Sequence, residues 1–386
     1  MISKEHRKHS KLAKVPYGNF GLNEFAILGA TCETIRSLSQ NIIQALSPKY
    51  KCAYIDSQHT DDRAATSGTI TSGAATEYVN HVHYGEFRFN KTFTPFQYRQ
   101  LFSDCDIILV NGNHYEAKNQ VLIIDETKKE SLKKRLAQLT NVQLILFNSD
   151  IEIFDFIKEH LPSWQQIPVY ALSDHENIIS FFKLQMRHAE PLLNGLVLAG
   201  GKSERFGYDK GKISWHGNEQ RYHIADLLGS QCKEVFISCR AEQQHEIDAA
   251  YKTLPDTFTG LGPYGAILSA LREQPTKAWL VVACDLPLID AVSLEYLIQN
   301  RDVSKMATTY ESPHDSLPEP LITIWEPKSY PVLLSSLSQS NSCPRKALIN
   351  NDIRMIKALD ANTLINVNTI EDSEQVKNIL ERRTVT

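Results

Sequence analysis

Residues 198–210 read Leu-Ala-Gly-Gly-Lys-Ser-Glu-Arg-Phe-Gly-Tyr-Asp-Lys and follow directly on Leu193–Leu198, a largely apolar run interrupted at Gly195. The run has the character of a strand in a parallel sheet buried on both faces. Gly200 and Gly201 let the backbone bend tightly and turn its N–H groups toward a ligand with no side chain in the way. Lys202, Arg205 and Lys210 follow as cations. Glycine amides and clustered cations together suit a nucleoside triphosphate, whose charge of about three to four must be offset before another anion can approach; Arg offers a fork and Lys a point charge. The alternative is a glycine-rich turn with a solvated basic face. No Gly-Lys-Ser/Thr follows at Walker spacing, so this is not a P-loop.

The stretch resembles the LAGGxSxRxGxDK signature of the molybdenum cofactor guanylyltransferases, with Phe206 where Met is usual. The resemblance extends from about Leu192 to the end of the chain, and it implies a Rossmann-like nucleotidyltransferase domain. Within it, Leu198, Ala199, Gly200, Gly201, Ser203 and Lys210 fall at nucleotide-binding positions. Asp256-Thr-Phe-Thr-Gly-Leu-Gly-Pro matches a segment that the family places beside guanosine, which makes Asp256 a nucleotide contact. A carboxylate only accepts hydrogen bonds, so it suits the N1–H and exocyclic amine of guanine; the alternative is a turn residue. Gly260, Gly262 and Gly265 also spell G-x-G-x-x-G, but the dinucleotide reading is set aside because no convincing strand precedes it and Pro263 interrupts it.

Trp279-Leu-Val-Val-Ala-Cys-Asp285-Leu-Pro287 is a hydrophobic strand ending in an acid. Resemblance makes Asp285 the ligand of Mg²⁺, a metal that takes about one or two protein carboxylates and fills its other positions with phosphate and water; the alternative is a cap on the next helix. Ile365-Asn-Val-Asn-Thr-Ile-Glu-Asp resembles the family's terminal Asn-x-Asn-Thr-Pro-Glu segment. Asn366 and Asn368 are expected on one face of a strand, directed at the pterin or the metal, while Thr369 also reads as the N-cap of a last helix. Ser238 stands where some relatives place a nucleotide-contacting Asn, and Arg345 and Lys346 where others carry basic residues for the acceptor.

The 386 residues, 42% hydrophobic with net charge −4, permit two or three domains of an α/β chain, with apolar residues ample for two cores, and give no reason to expect a nucleic-acid partner. Seven cysteines without a C-x-x-C pair read as reduced thiols of a cytoplasmic protein, and no apolar run reaches membrane-spanning length. The first half alternates apolar strands (Glu24–Leu28, Cys52–Ile55, Ile107–Val110, Val121–Ile124, Val142–Phe147, Val169–Ala171) with helical stretches (Thr34–Leu46, Lys129–Leu139, Ile151–His160). Such alternation predicts a second parallel sheet. This half faintly resembles the GTP-binding adaptor of molybdopterin dinucleotide synthesis, a P-loop protein. However, Gly29-Ala-Thr-Cys-Glu-Thr-Ile-Arg-Ser lacks the phosphate-binding lysine and hydroxyl, Glu33 would repel phosphate, and Asn111 replaces an expected carboxylate. A degenerate P-loop-like domain without GTP hydrolysis is expected. His81 and His83, on one strand face if this segment is extended, could make a zinc site with His59 and His114 near strand ends, but without a further ligand at recognisable spacing they read as hydrogen-bonded or solvated.

The expected organisation is a solvated basic tail over 1–21, a P-loop-like parallel-sheet domain over 22–185, a linker over 186–191 within the polar stretch Lys183–Pro191, and a nucleotidyltransferase domain over 192–386. The expected reaction transfers GMP from Mg²⁺-GTP to molybdopterin, with Arg205, Lys210 and Asp285 as catalytic groups. Expected partners are GTP, molybdopterin and molybdenum insertion proteins or apo-molybdoenzymes, with neither nucleic acid nor membrane involved. Competing readings are a cytidylyl- or sugar-phosphate nucleotidyltransferase of the same fold, a non-catalytic cofactor-delivery scaffold, and a GTPase switch.

Overall fold

A computed structural model describes residues 17–57, 68–148, 152–199, 210–367 and 369–384. The chain divides after Ala189 into two compact units.

The first unit runs β1 (Glu24–Leu28), α1 (Cys32–Leu46), β2 (Cys52–Ile55), α2 (Gly68–Thr71), β3 (Thr76–Asn80), β4 (Gly85–Phe89), α3 (Pro95–Leu101), β5 (Ile107–Asn111), β6 (Asn119–Ile124), α4 (Lys129–Lys133), β7 (Val142–Phe147), α5 (Asp155–His160), β8 (Val169–Ala171) and α6 (His175–Ala189). Six strands form a parallel sheet in the order β2-β5-β1-β6-β7-β8. In α1, Ile35, Leu38, Ile42 and Leu46 recur every three or four residues and are buried, and Thr31 caps the start by accepting from the amide of Thr34.

Several expectations need correction. Tyr17–Gly21 is not solvated tail: Phe20 is buried against Tyr98, Phe102 and Tyr115. Lys129–Leu139 breaks into α4 and a 3₁₀ turn at Leu136–Gln138, and the helix expected from Ile151 begins at Asp155. Most of Lys183–Pro191 is helix, because Phe181, Phe182 and Met186 carry the apolar face of α6 to its last turn. β3 and β4 pair as an antiparallel hairpin the sequence reading missed. His81 and His83 lie in its connection rather than on a strand, with His81 stacked on Tyr84 and 3.4 Å from Glu86 Oε2. His59 lies outside the described residues.

The second unit runs β9 (Leu193–Leu198), α7 (Gln220–Gly229), β10 (Val235–Cys239), β11 (Lys252–Pro255), α8 (Pro263–Glu273), β12 (Ala278–Ala283), α9 (Ala291–Gln299), β13 (Ala307–Glu311), β14 (Pro318–Trp325), α10 (Ser329–Ser338), α11 (Pro344–Ile349), β15 (Arg354–Ile356) and α12 (Ile370–Thr384). Its sheet has the order β11-β10-β9-β12-β14-β13-β15, and β14 alone runs antiparallel to its neighbours. Alternation along β12 sends Leu280 and Val282 into one apolar cluster and Trp279 and Val281 into another, so the sheet is buried on both faces. Gly195 interrupts β9 because α7 crosses there: a Cβ at that position would lie 3.1 Å from Leu228 Cβ. A strand does precede the G-x-G-x-x-G stretch, contrary to expectation. β11 ends at Pro255 and Pro263 opens α8.

Candidate nucleotide-transfer site

The carboxyl ends of β11, β10, β9 and β12 form one edge of the second sheet, the edge at which open α/β sheets bind ligands. Because β14 runs the other way, its first residues reach the same edge. Leu198 ends β9 there, its carbonyl 3.4 Å from the amide of Cys284, and Ala199 follows. Gly200, Gly201, Lys202, Ser203 and Arg205 lie outside the described residues; Lys210 opens a short 3₁₀ turn, Lys210–Lys212.

Ser238 and Asp256, read separately from sequence, meet at this edge. The Ser238 hydroxyl donates to Asp256 Oδ1 at 2.8 Å, and the Asp256 amide donates to Cys239 O at 2.9 Å. Burial pushes the Asp256 carboxyl above its ordinary value, against the opposing hydrogen bond from Ser238. Burial, followed by the charge of Asp256, raises the neighbouring Cys239 thiol to about 11; such a thiol is a poor nucleophile at neutral pH.

Asp285 lies two residues beyond β12. The capping role weighed for it belongs to Asp290, whose Oδ1 accepts from the amide of Ser293 at 2.8 Å at the start of α9. The amide of Val367 donates to Asp285 O at 2.9 Å, which brings the Asn-rich segment beside the acid. That segment is not a strand: it leaves the 3₁₀ turn Ala361–Leu364 in irregular conformation, since Val367 bonds to a loop rather than to a sheet neighbour. Asn366 Oδ1 is buried and has no hydrogen-bond partner among the described residues, and Asn368 lies outside them. Thr369 caps α12 reciprocally, accepting from the Asp372 amide at 3.1 Å while its own amide donates to Asp372 Oδ2 at 2.8 Å.

A carboxylate and a buried, unpaired amide oxygen are the hard oxygen donors that Mg²⁺ favours. Among the described residues no group of three or more His, Cys, Asp or Glu side chains could enclose a metal, so phosphate oxygens and water would complete the shell. Arg345, on α11, is held by two carboxylates, Asp315 at 2.9 Å and Glu319 at 3.2 Å. Glu319 is the second residue of β14, so this group stands at the same edge. Lys346 is exposed.

The corresponding edge of the first unit carries different chemistry. Asp56, at the end of β2, accepts from Tyr54, Ser57, Arg36 and Asn111. Burial opposes its ionisation, yet these bonds hold its carboxyl below the ordinary value. His114 Nε2 lies 3.7 Å from Asp56 Oδ1 and 3.3 Å from Cys32 Sγ. Asn111, which replaces the expected carboxylate, thus binds one. A cleft of about 840 Å³ in this unit is lined by Glu33, Ser37, Asn148, Tyr170 and His175, among others, with no Lys or Arg among its described lining residues.

Residues 195–353 match the family described as MobA-like NTP transferase domain. The second unit carries a MobA-like nucleotidyltransferase domain. A molybdenum cofactor biosynthesis bifunctional protein of Synechocystis is 35% identical over 185 residues, 48% of this chain and 53% of that protein. The chain therefore spans about half the length of that relative. A molybdenum cofactor guanylyltransferase of Pseudomonas putida is 27% identical over 195 residues, 48% of this chain and 98% of that protein. The solved structure of Bacillus subtilis MobB covers 42% of this chain and 97% of its own, at 14% identity and a TM-score of 0.32. Among the described residues no helix is long and apolar enough to cross a membrane.

Proposed function

We propose that the MobA-like domain transfers GMP from Mg²⁺-GTP to the terminal phosphate of molybdopterin, releasing pyrophosphate and forming the guanine dinucleotide of the cofactor. The observation that carries this reading is the gathering of the Ser238–Asp256 pair, Asp285 and Asn366 at the one sheet edge where β9 hands the chain to the glycine-and-cation stretch. A phosphate oxygen of the pterin attacks the α-phosphorus, and the bond from that phosphorus to the bridging oxygen of pyrophosphate breaks. The nucleophile is already ionised at neutral pH, so no general base is needed. The work is to bring two anions together and offset their charge.

In this reading, the amides of Gly200 and Gly201 with Arg205 and Lys210 hold the β- and γ-phosphates, Asp256 accepts from guanine, and Asp285 with Asn366 holds Mg²⁺. When bound, the metal would offset charge on the transferring and leaving phosphates. Arg345 is shared with Asp315 and Glu319, so Lys346 is the freer cation for the acceptor. In the first unit, we infer that GTP hydrolysis is absent: Glu33 and Asp56 stand near a helix start that carries no lysine.

The test is a transfer assay with α-labelled GTP, CTP or UTP, Mg²⁺ and molybdopterin. Label from GTP should enter the pterin with stoichiometric release of pyrophosphate. Transfer from CTP would reassign the base, transfer to a sugar phosphate would reassign the acceptor, and pterin binding without turnover would favour the scaffold reading.

A further inference from the structure

The loop from Cys284 to Ile289 joins β12 to the capped start of α9 and has no ladder partner, yet three successive carbonyls in it accept hydrogen bonds from three residues in two remote segments. Asp285 O accepts from the Val367 amide at 2.9 Å, Leu286 O from Gln220 Nε2 at 3.2 Å, and Pro287 O from His216 Nε2 at 2.8 Å. Leu286 and Leu288 are buried at 2% and 1% exposure, so their side chains anchor the loop while these bonds set its backbone.

We propose that His216 and Gln220 are positioning residues for the Asp285 carboxylate, an inference that rests on the reading of Asp285 as the metal-bearing acid. A carbonyl can only accept, so Nε2 of His216 carries the proton. The His216 ring is stacked on His223, centroids 3.9 Å apart and planes 17° apart, which fixes the direction of its N–H. Gly217, at φ +80°, supplies the left-handed turn between the bridged residues Ser214 and Glu219 and so presents the imidazole to the loop. Gln220 is fully buried in the first turn of α7. Two side chains and one backbone amide thereby hold three consecutive peptide units, and the first of these bears the carboxylate. These bonds set the backbone that carries the Asp285 carboxylate, and so its place, without touching a metal.

The test uses the full chain with Mn²⁺ as the probe, followed by electron paramagnetic resonance with saturating GTP, beside GTP binding in EDTA and thermal unfolding. His216 is exposed, so His216→Ala should remain folded and bind metal-free GTP as the wild type does. Its Mn²⁺ affinity should fall by about 10-fold or more, and His216→Gln, whose amide can donate from a similar place, should recover to within about threefold of wild type. Should Gln220→Leu fail to fold, the His216 pair still decides. Wild-type Mn²⁺ affinity in His216→Ala, alongside loss in Asp285→Asn, overturns the positioning role and leaves the Asp285 reading standing. Wild-type Mn²⁺ affinity in Asp285→Asn overturns both.

Discussion

Replacing Asp256 by Asn keeps the shape of the side chain while removing its charge and its acceptor-only character, so it separates base reading from packing. In the structure Ser238 occupies Oδ1 at 2.8 Å, and a carboxylate has roughly four acceptor positions, enough for both donors on the Watson–Crick edge of guanine. Asparagine offers one oxygen and one amino group. If the oxygen keeps the Ser238 bond, the amino group confronts N1–H of guanine, so one pair is lost and one donor is stranded. A good paired base contact is worth about 1–3 kcal/mol, which corresponds to roughly 5–150-fold in affinity. Calorimetric titration of the full chain with Mg²⁺-GTP, Mg²⁺-ITP and Mg²⁺-CTP reads the effect. Wild type should prefer GTP to ITP, which lacks the exocyclic amine, and both to CTP; Asp256→Asn should compress that series, because its amino group can pair with cytosine acceptors. A variant that separates GTP from CTP as well as wild type does would refute the reasoning and leave Asp256 a turn residue.

Four further outcomes are expected. Asp285→Asn should retain the circular dichroism of the wild type while single-turnover pyrophosphate release slows by on the order of 10²–10³. GTP affinity should fall as pH drops through the Asp256 carboxyl, at a point above the ordinary 3.8 because burial raises it, and Asp256→Asn should flatten that titration; without ligand the sign reverses, the neutral acid favouring folding below its ordinary value and that contribution vanishing as pH rises through the folded one. Arg301→Ala should cost about 3 kcal/mol in urea unfolding, the low end for a broken buried pair, because Glu326, 1% exposed, loses contacts of 2.6 and 2.8 Å from a guanidinium that keeps some exposure. Full-length Asp285→Asn should release no inorganic phosphate from GTP above background, and steady hydrolysis in that variant would restore an active first unit.

How legible each part was follows from where its stabilising interactions lie. β1, β7 and β9 begin and end where the apolar runs begin and end, because a parallel strand buried on both faces is largely apolar along its length; the edge strands β2 and β8 also match their runs, although they are half-buried or exposed. The β3–β4 hairpin escaped reading for the opposite reason. Its exposed face carries Tyr78 and Phe87 and its sheltered face carries Glu77, Glu86 and Arg88, joined by contacts of 2.8 and 3.2 Å. Alternation of this inverted kind does not announce a strand with its apolar side inward.

At the candidate site, single residues were visible and their pairings were not. Asp285 and Asp256 each follow a strand and carry a motif, so each could be named from local spacing. The bond from Ser238 to Asp256 spans 18 residues and that from Val367 to Asp285 spans 82; the first exists because β10 and β11 are neighbours in the sheet, the second because the chain leaving the 3₁₀ turn Ala361–Leu364 returns to the loop after β12. The same distance in sequence hid the irregular course of Asn366. Two asparagines spaced by one residue share a face only if the chain between them is extended, and the amide of Val367 is instead committed to the Asp285 loop. The metal-bearing loop is therefore set by residues remote from it in sequence, and a change at His216 or Val367 should be felt at Asp285 before it is felt in the stability of the fold.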